Sequence, residues 1–217
     1  MKTLFLLQAR LEIRKRSVII SLVLYLLSLV LINYLTLGMQ RAVNNPGIWS
    51  ALFWLAILST SVNVIAKSFG PEKNDSNIYL YSLTSPTQII LAKILYGFVL
   101  CLGIALVGFV FFATLLTNPI QDYSVFLVDL VLSSAGFSAS LTLLSAIAAK
   151  TDNSNVIMAV LSFPVIIGIL LMAIRVTKNA IDGLEFAASF DELATLAAIN
   201  LLLSAVSYLL FPYIWRS

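Results

Sequence analysis

Residues 66–93 read AKSFGPEKNDSNIYLYSLTSPTQIILAK, and the fold turns on what they separate: long apolar runs on either side of a polar stretch. The stretch opens with Phe69-Gly70-Pro71-Glu72, passes through Lys73-Asn74-Asp75-Ser76-Asn77, and turns apolar and aromatic at Ile78-Tyr79-Leu80-Tyr81. Ser85-Pro86 closes it before the next apolar run. Proline fixes φ and disfavours helix in the residue before it, so Pro71 and Pro86 bracket the segment. Between them there is room for one short helix of about three turns at roughly 1.5 Å per residue. A half-apolar segment of this kind, held between two spanning helices, reads as a docking knob on which another protein pushes.

Composition sets the class. The 217 residues are 60% hydrophobic and 11% charged, with a mean hydropathy of +1.01. A soluble domain of this size needs a far more polar surface, so the chain reads as an integral membrane protein. Its spans must be helices, because lipid cannot satisfy open strand edges. The formal net charge of +3 reads as a topology signal rather than as nucleic-acid binding. Cys101 is the single cysteine, set in an apolar run, so no intrachain disulfide is possible. Histidine is absent, which removes the commonest metal ligand, the usual general base and the ordinary axial ligand of haem iron.

Residues 1–17 form a basic leader carrying Arg10, Arg14, Lys15 and Arg16, expected to lie as a helix in the membrane interface; the alternative is a solvated stop before the first span. No small-residue cleavage site follows, so it reads as a retained anchor. Six spans are expected, at 18–39, 48–66, 88–117, 124–149, 155–174 and 193–215. The whole chain, 1–217, is then one transmembrane domain, with residues 67–87 as a coupling segment. Lys and Arg concentrate on the side of the termini and of that segment, which places both in the cytoplasm. Trp49, Tyr123, Tyr208, Tyr213 and Trp215 fall where an aromatic belt is expected. Residues 175–192 form the main external feature, either short helices dipping back toward the bilayer or a solvated loop.

No GxxxxGK[ST], HExxH, CxxC, CxxCH or GxSxG occurs, and no carboxylate pair is convincingly spaced, so an enzyme has no residues to stand on. Two charges fall inside spans. Lys93 is expected to snorkel to the cytoplasmic surface, or else to meet a partner or headgroup. Asp129 is expected to be hydrated at the interface, or else to face a cavity or meet Arg175. Asn63 and Asn200 are expected to bond across helices. Gly97, Gly103 and Gly108 in the third span, and Ser134, Gly136 and Ser138 in the fourth, permit close backbone approach. The last three suit either a homodimer seam or ordinary packing within one bundle.

Phe69, Glu72, Asp75, Tyr79-Leu80-Tyr81, Leu83, Ser85-Pro86 and Ile90-Leu91-Ala92-Lys93 resemble the loop-to-helix signature of the CcmB family, the membrane subunit of the cytochrome c maturation ABC system. The small residues 133–139, the span 155–164 with its proline, and Phe211-Pro212 near the end continue the resemblance. It implies an ABC-2-type permease bundle that is not itself catalytic, with a coupling helix containing Phe69, Glu72, Asp75, Tyr79, Tyr81, Leu83, Ser85, Pro86 and Lys93. Tyr79, Tyr81 and Leu83 would fill a groove on the ATPase, with Glu72 and Asp75 at its rim. The implied partners are a CcmA-like ATPase that holds the ATP, CcmC-like and CcmD-like membrane proteins, a CcmE-like haem chaperone and, within the complex, a second copy of this chain. Haem is then handled by the complex and no cofactor binds this chain directly. The implied setting is the bacterial inner membrane, with no nucleic acid involved. Two views of such a subunit exist, haem export and release of the haem-loaded chaperone, and the missing histidine favours the second. A generic ABC-2-type exporter of a lipid or drug, and a non-transport membrane scaffold, are the other readings.

Overall fold

The computed structural model describes residues 16–40, 45–65, 86–116, 118–148 and 154–216, and everything described is helix or short connection. The helices among the described residues are α1 (Arg16–Gln40), α2 (Pro46–Ile65), α3 (Pro86–Leu115), α4 (Tyr123–Ala148), α5 (Ser154–Ile181) and α6 (Phe190–Arg216), with a 3-10 turn at Phe186–Ser189 before α6. Five stretches among the described residues are long and apolar enough to cross a membrane: Pro46–Ile65, Thr87–Leu115, Tyr123–Ala148, Val160–Ile181 and Phe186–Tyr213. The apolar part of α1 described with them, Ile20–Thr36, is shorter. At 30 residues, α3 is roughly 45 Å long, well beyond a hydrocarbon core of about 30 Å. Pro86 is its first residue, a position where the N–H has no acceptor within the helix and its absence costs nothing.

Successive helices run up and down. We call the end where residues 66–85 and 149–153 attach the lower end, and the other the upper end. Much of the expected external segment 175–192 is helical. α5 continues through Arg175 and Lys178 to Ile181, and α6 begins at Phe190. The charges mark the helix leaving the apolar zone, not the helix stopping. What stops it is Gly183, at φ 69, a left-handed conformation open to glycine without penalty. Leu184 N donates to Asn179 O across it (3.1 Å), the closure that caps a helix around such a glycine.

The core is built around α4, which packs against α5, α3, α6 and α2, while α1 lies outside on α2 and α3. Of the most apolar window of α4, 78% is buried, against 28% for α3 and 22% for α6. The centre is aromatic: Trp49 stacks on Phe53 at 5.4 Å, Phe53 meets Phe112 edge-on at 5.3 Å, and Trp54 meets Phe137 at 5.9 Å. Such pairs contribute about 0.5–1.5 kcal/mol each beyond the area they bury. Trp49 is therefore a core residue with none of its surface exposed, not part of an aromatic belt, whereas Tyr123, Tyr208 and Tyr213 are exposed.

The small residues of α4 are used inside the chain. Ser134, Gly136 and Ser138 are all buried. A Cβ at Gly136 would stand 2.6 Å from Asn200 Oδ1 and 3.2 Å from Ile169 Cδ1, so glycine here lets α5 and α6 close on α4. Asn200 Nδ2 donates to Leu132 O at 2.8 Å, the cross-helix bond expected of it. Asn63 does otherwise: its amide donates to Ser59 O on its own helix, at an exposed position.

Candidate functional site

The segment that sequence reading singles out falls between the end of α2 and the start of α3, both at the lower end of the bundle. Phe69, Glu72, Asp75, Tyr79, Tyr81, Leu83 and Ser85 lie outside the described residues, as do Arg10, Arg14 and Lys15. Arg16 opens α1 and Pro86 opens α3. What is described is the footing: the last turn of α2 (Val64, Ile65), the first half of α3 and the last turns of α4.

That footing is tight. Gly97 lies where a Cβ would stand 2.6 Å from Ser138 Oγ. The Ser138 hydroxyl donates to Ile94 O at 2.6 Å, so α3 and α4 are both touching and bonded at this level. Lys93, one turn before Gly97 and roughly 10 Å above the start of α3 at 1.5 Å per residue, is only 2% exposed. It does not snorkel to a surface, because α2 and α4 flank it. Lys93 lines a cavity of about 10 Å³ with Val64, Ile65, Tyr96, Gly97, Leu100 and Thr142. That volume is at the lower limit for one water molecule. This buried ammonium group stands two turns into α3, between α2 and α4.

The second polar cluster lies near the upper end, and only one of its members was visible in the sequence. Asp129, expected at a hydrated interface, has no exposed surface. Its Oδ2 accepts from the Thr177 hydroxyl on α5 at 2.7 Å, and its Oδ1 accepts from the Ser133 hydroxyl at 2.9 Å. Thr177 in turn accepts from Trp54 Nε1 on α2 at 2.8 Å. Arg175, the other expected partner, is exposed. The signal for this cluster was available in Trp54, whose indole N–H falls inside an apolar span and so needs an acceptor from another helix.

Apolar helices of spanning length, a core closed by aromatic rings and ionisable groups turned inward define an all-helical integral membrane protein. The model of the family described as CcmB protein matches residues 1–209, and the chain belongs to that family. The family supplies the membrane permease subunit of the haem exporter ABC system of cytochrome c maturation, and is not itself a catalytic enzyme. Neither a curated protein nor a solved structure matches the chain.

Proposed function

We propose that this chain couples ATP hydrolysis on a partner ATPase to release of the haem-loaded chaperone during cytochrome c maturation. In this reading it crosses the bacterial inner membrane six times, with both termini and residues 66–85 in the cytoplasm. The ATPase, of the CcmA type, grips residues 67–87 through Tyr79, Tyr81 and Leu83, with Phe69, Glu72, Asp75 and Ser85 shaping the contact. Membrane partners of the CcmC and CcmD type and a chaperone of the CcmE type complete the assembly.

One observation carries the coupling step: α3 runs unbroken from Pro86 to Leu115 and is fastened to α4 near its start by the Gly97–Ser138–Ile94 contact. A push on the segment before Pro86 therefore meets a rigid lever already joined to the central helix, with Lys93 at its foot. Release is favoured over passage by two facts. The chain has no histidine to ligate haem iron, and the centre of the bundle is filled by Trp49, Phe53, Trp54 and Phe112.

The test is replacement of Tyr79 and Tyr81 by alanine in the full complex. The expected result is loss of ATPase co-purification and of cytochrome c maturation, with the chain still inserted at normal levels. Aromatic anchors in such contacts commonly contribute about 2 kcal/mol or more each, enough to lower association at least tenfold. Unchanged association and unchanged maturation would remove the docking assignment.

A further inference from the structure

Asp129, Thr177, Ser133 and Trp54 have no exposed surface, so whatever they do, they do inside the chain. The direction of the bonds is fixed by elementary chemistry. An indole N–H only donates, so Thr177 Oγ1 must accept from Trp54 and is left with one proton to give. That proton goes to Asp129 Oδ2 at 2.7 Å. The partners of Asp129 are hydroxyls, and the nearest basic residues on α5, Arg175 and Lys178, are exposed. A carboxyl in such a place owes its position to hydrogen bonds rather than to a counter-charge.

A second set of bonds lies one turn nearer the upper end. Gln121 N and Asp122 N both donate to Ala180 O, at 3.1 and 3.0 Å. The start of α4 and the end of α5 are thus tied at two levels, and Trp54 brings α2 into the inner one. Trp54 is itself held by edge contacts with Phe53 at 5.2 Å and Phe137 at 5.9 Å.

We propose that Trp54, Thr177 and Asp129 form a directional clamp that makes the upper ends of α2, α4 and α5 one rigid body, and that the clamp needs an acceptor at Asp129 but no negative charge. Residues 182–189, which hang from the end of α5, then move with α4. The central helix cannot shift without carrying that connection along. The inference rests on the hydrogen-bond geometry and stands whether or not an ATPase drives the bundle.

Thermal unfolding of the full-length chain in detergent separates the possibilities. Asp129→Asn keeps an acceptor for Thr177 and turns an amide N–H toward Ser133, whose hydroxyl then accepts instead of donating, and is expected to melt with the wild type. Asp129→Leu and Thr177→Val are expected to melt several degrees lower, and Thr177→Ser to recover most of the loss. Trp54→Phe combined with Thr177→Val is expected to cost clearly less than the two single losses added, because both break one relay. Amide hydrogen exchange of residues 176–181 in Thr177→Val is expected to speed up severalfold, which keeps the test decisive if Asp129→Leu fails to insert. The proposal is overturned if Asp129→Asn falls as far as Asp129→Leu, if the two single losses add, or if exchange at 176–181 is unchanged.

Discussion

Asp122 stands where the connection from α3 turns into α4, and one oxygen of its side chain takes three donors. Oδ1 accepts from Ser124 N at 2.9 Å, from Ser124 Oγ at 2.6 Å and from Val125 N at 3.3 Å. This is an N-cap, which satisfies N–H groups that the helix cannot satisfy itself. The Ser124 hydroxyl foremost, and then the Val125 N–H, hold the Asp122 carboxyl below its ordinary value of 3.8. A carboxyl lowered on folding stabilises the fold fully above its unfolded value, and that contribution is lost as pH falls through the lower, folded one. Asp122→Ala is therefore expected to lower the melting temperature at neutral pH, with the gap to wild type narrowing as the solution is acidified past about 3.8. A gap of constant size across that range would show that the charge of the cap contributes nothing. The capping role is legible in Asp122-Tyr123-Ser124; the burial of Asp129, two turns further on, is not. In a soluble helix, polar residues mark the outside face. Here the outside face is apolar too, so a polar residue carries no direction.

The same loss of contrast governs the helices. α3 carries Gly97, Gly103 and Gly108 in a run of apolar side chains, and the sequence puts all three in one class. The bundle separates them: a Cβ at Gly97 would meet Ser138 Oγ at 2.6 Å, whereas nothing lies within 4 Å of one at Gly103. Ser138 cannot retreat freely, since its hydroxyl is bound to Ile94 O. Gly97→Ala is expected to cost about 1–3 kcal/mol through overpacking of α3 on α4. Gly103→Ala, by contrast, is expected to be neutral or to stabilise by up to about 1 kcal/mol, from helix propensity alone. Thermal unfolding of the two variants side by side checks this, and equal behaviour would mean that α3 and α4 are not in contact at this level. If α3 is the lever of the coupling step, Gly97→Ala should also weaken cytochrome c maturation where Gly103→Ala does not. Pro86 and Tyr123 fall within two residues of the expected starts at 88 and 124, because the bilayer sets the length of an apolar run. α5 runs on to Ile181, past the expected span end at 174, because its charged last turns leave the apolar zone without leaving the helix.

At the scale of the whole molecule, the order of the described helices follows from the apolar runs. The interior arrangement does not, because Trp49, Lys93 and Asp129 all look like interfacial residues on sequence position and are all buried by neighbours distant in the chain. Orientation is the property on which the functional reading depends, and the bundle supplies a means to measure it. The connection 66–85 attaches at the lower end, and the connection holding Phe186 at the upper end. Phe186 is 46% exposed, and Cys101, the one native thiol, has no exposed surface, so the wild-type chain provides an unreactive background for labelling. Phe186→Cys and Ser76→Cys are therefore expected to react from opposite sides. A membrane-impermeant maleimide added to spheroplasts should label the first and spare the second, and inverted inner-membrane vesicles should reverse the pattern. The excess of Lys and Arg near the termini and near residues 66–85 predicts this sense, through the rule that basic residues stay on the cytoplasmic side. Labelling of Ser76→Cys in spheroplasts would put the docking segment out of reach of any cytoplasmic ATPase, and the coupling proposal would fall with it. The Asp129 clamp, which depends only on contacts within the bundle, would be untouched.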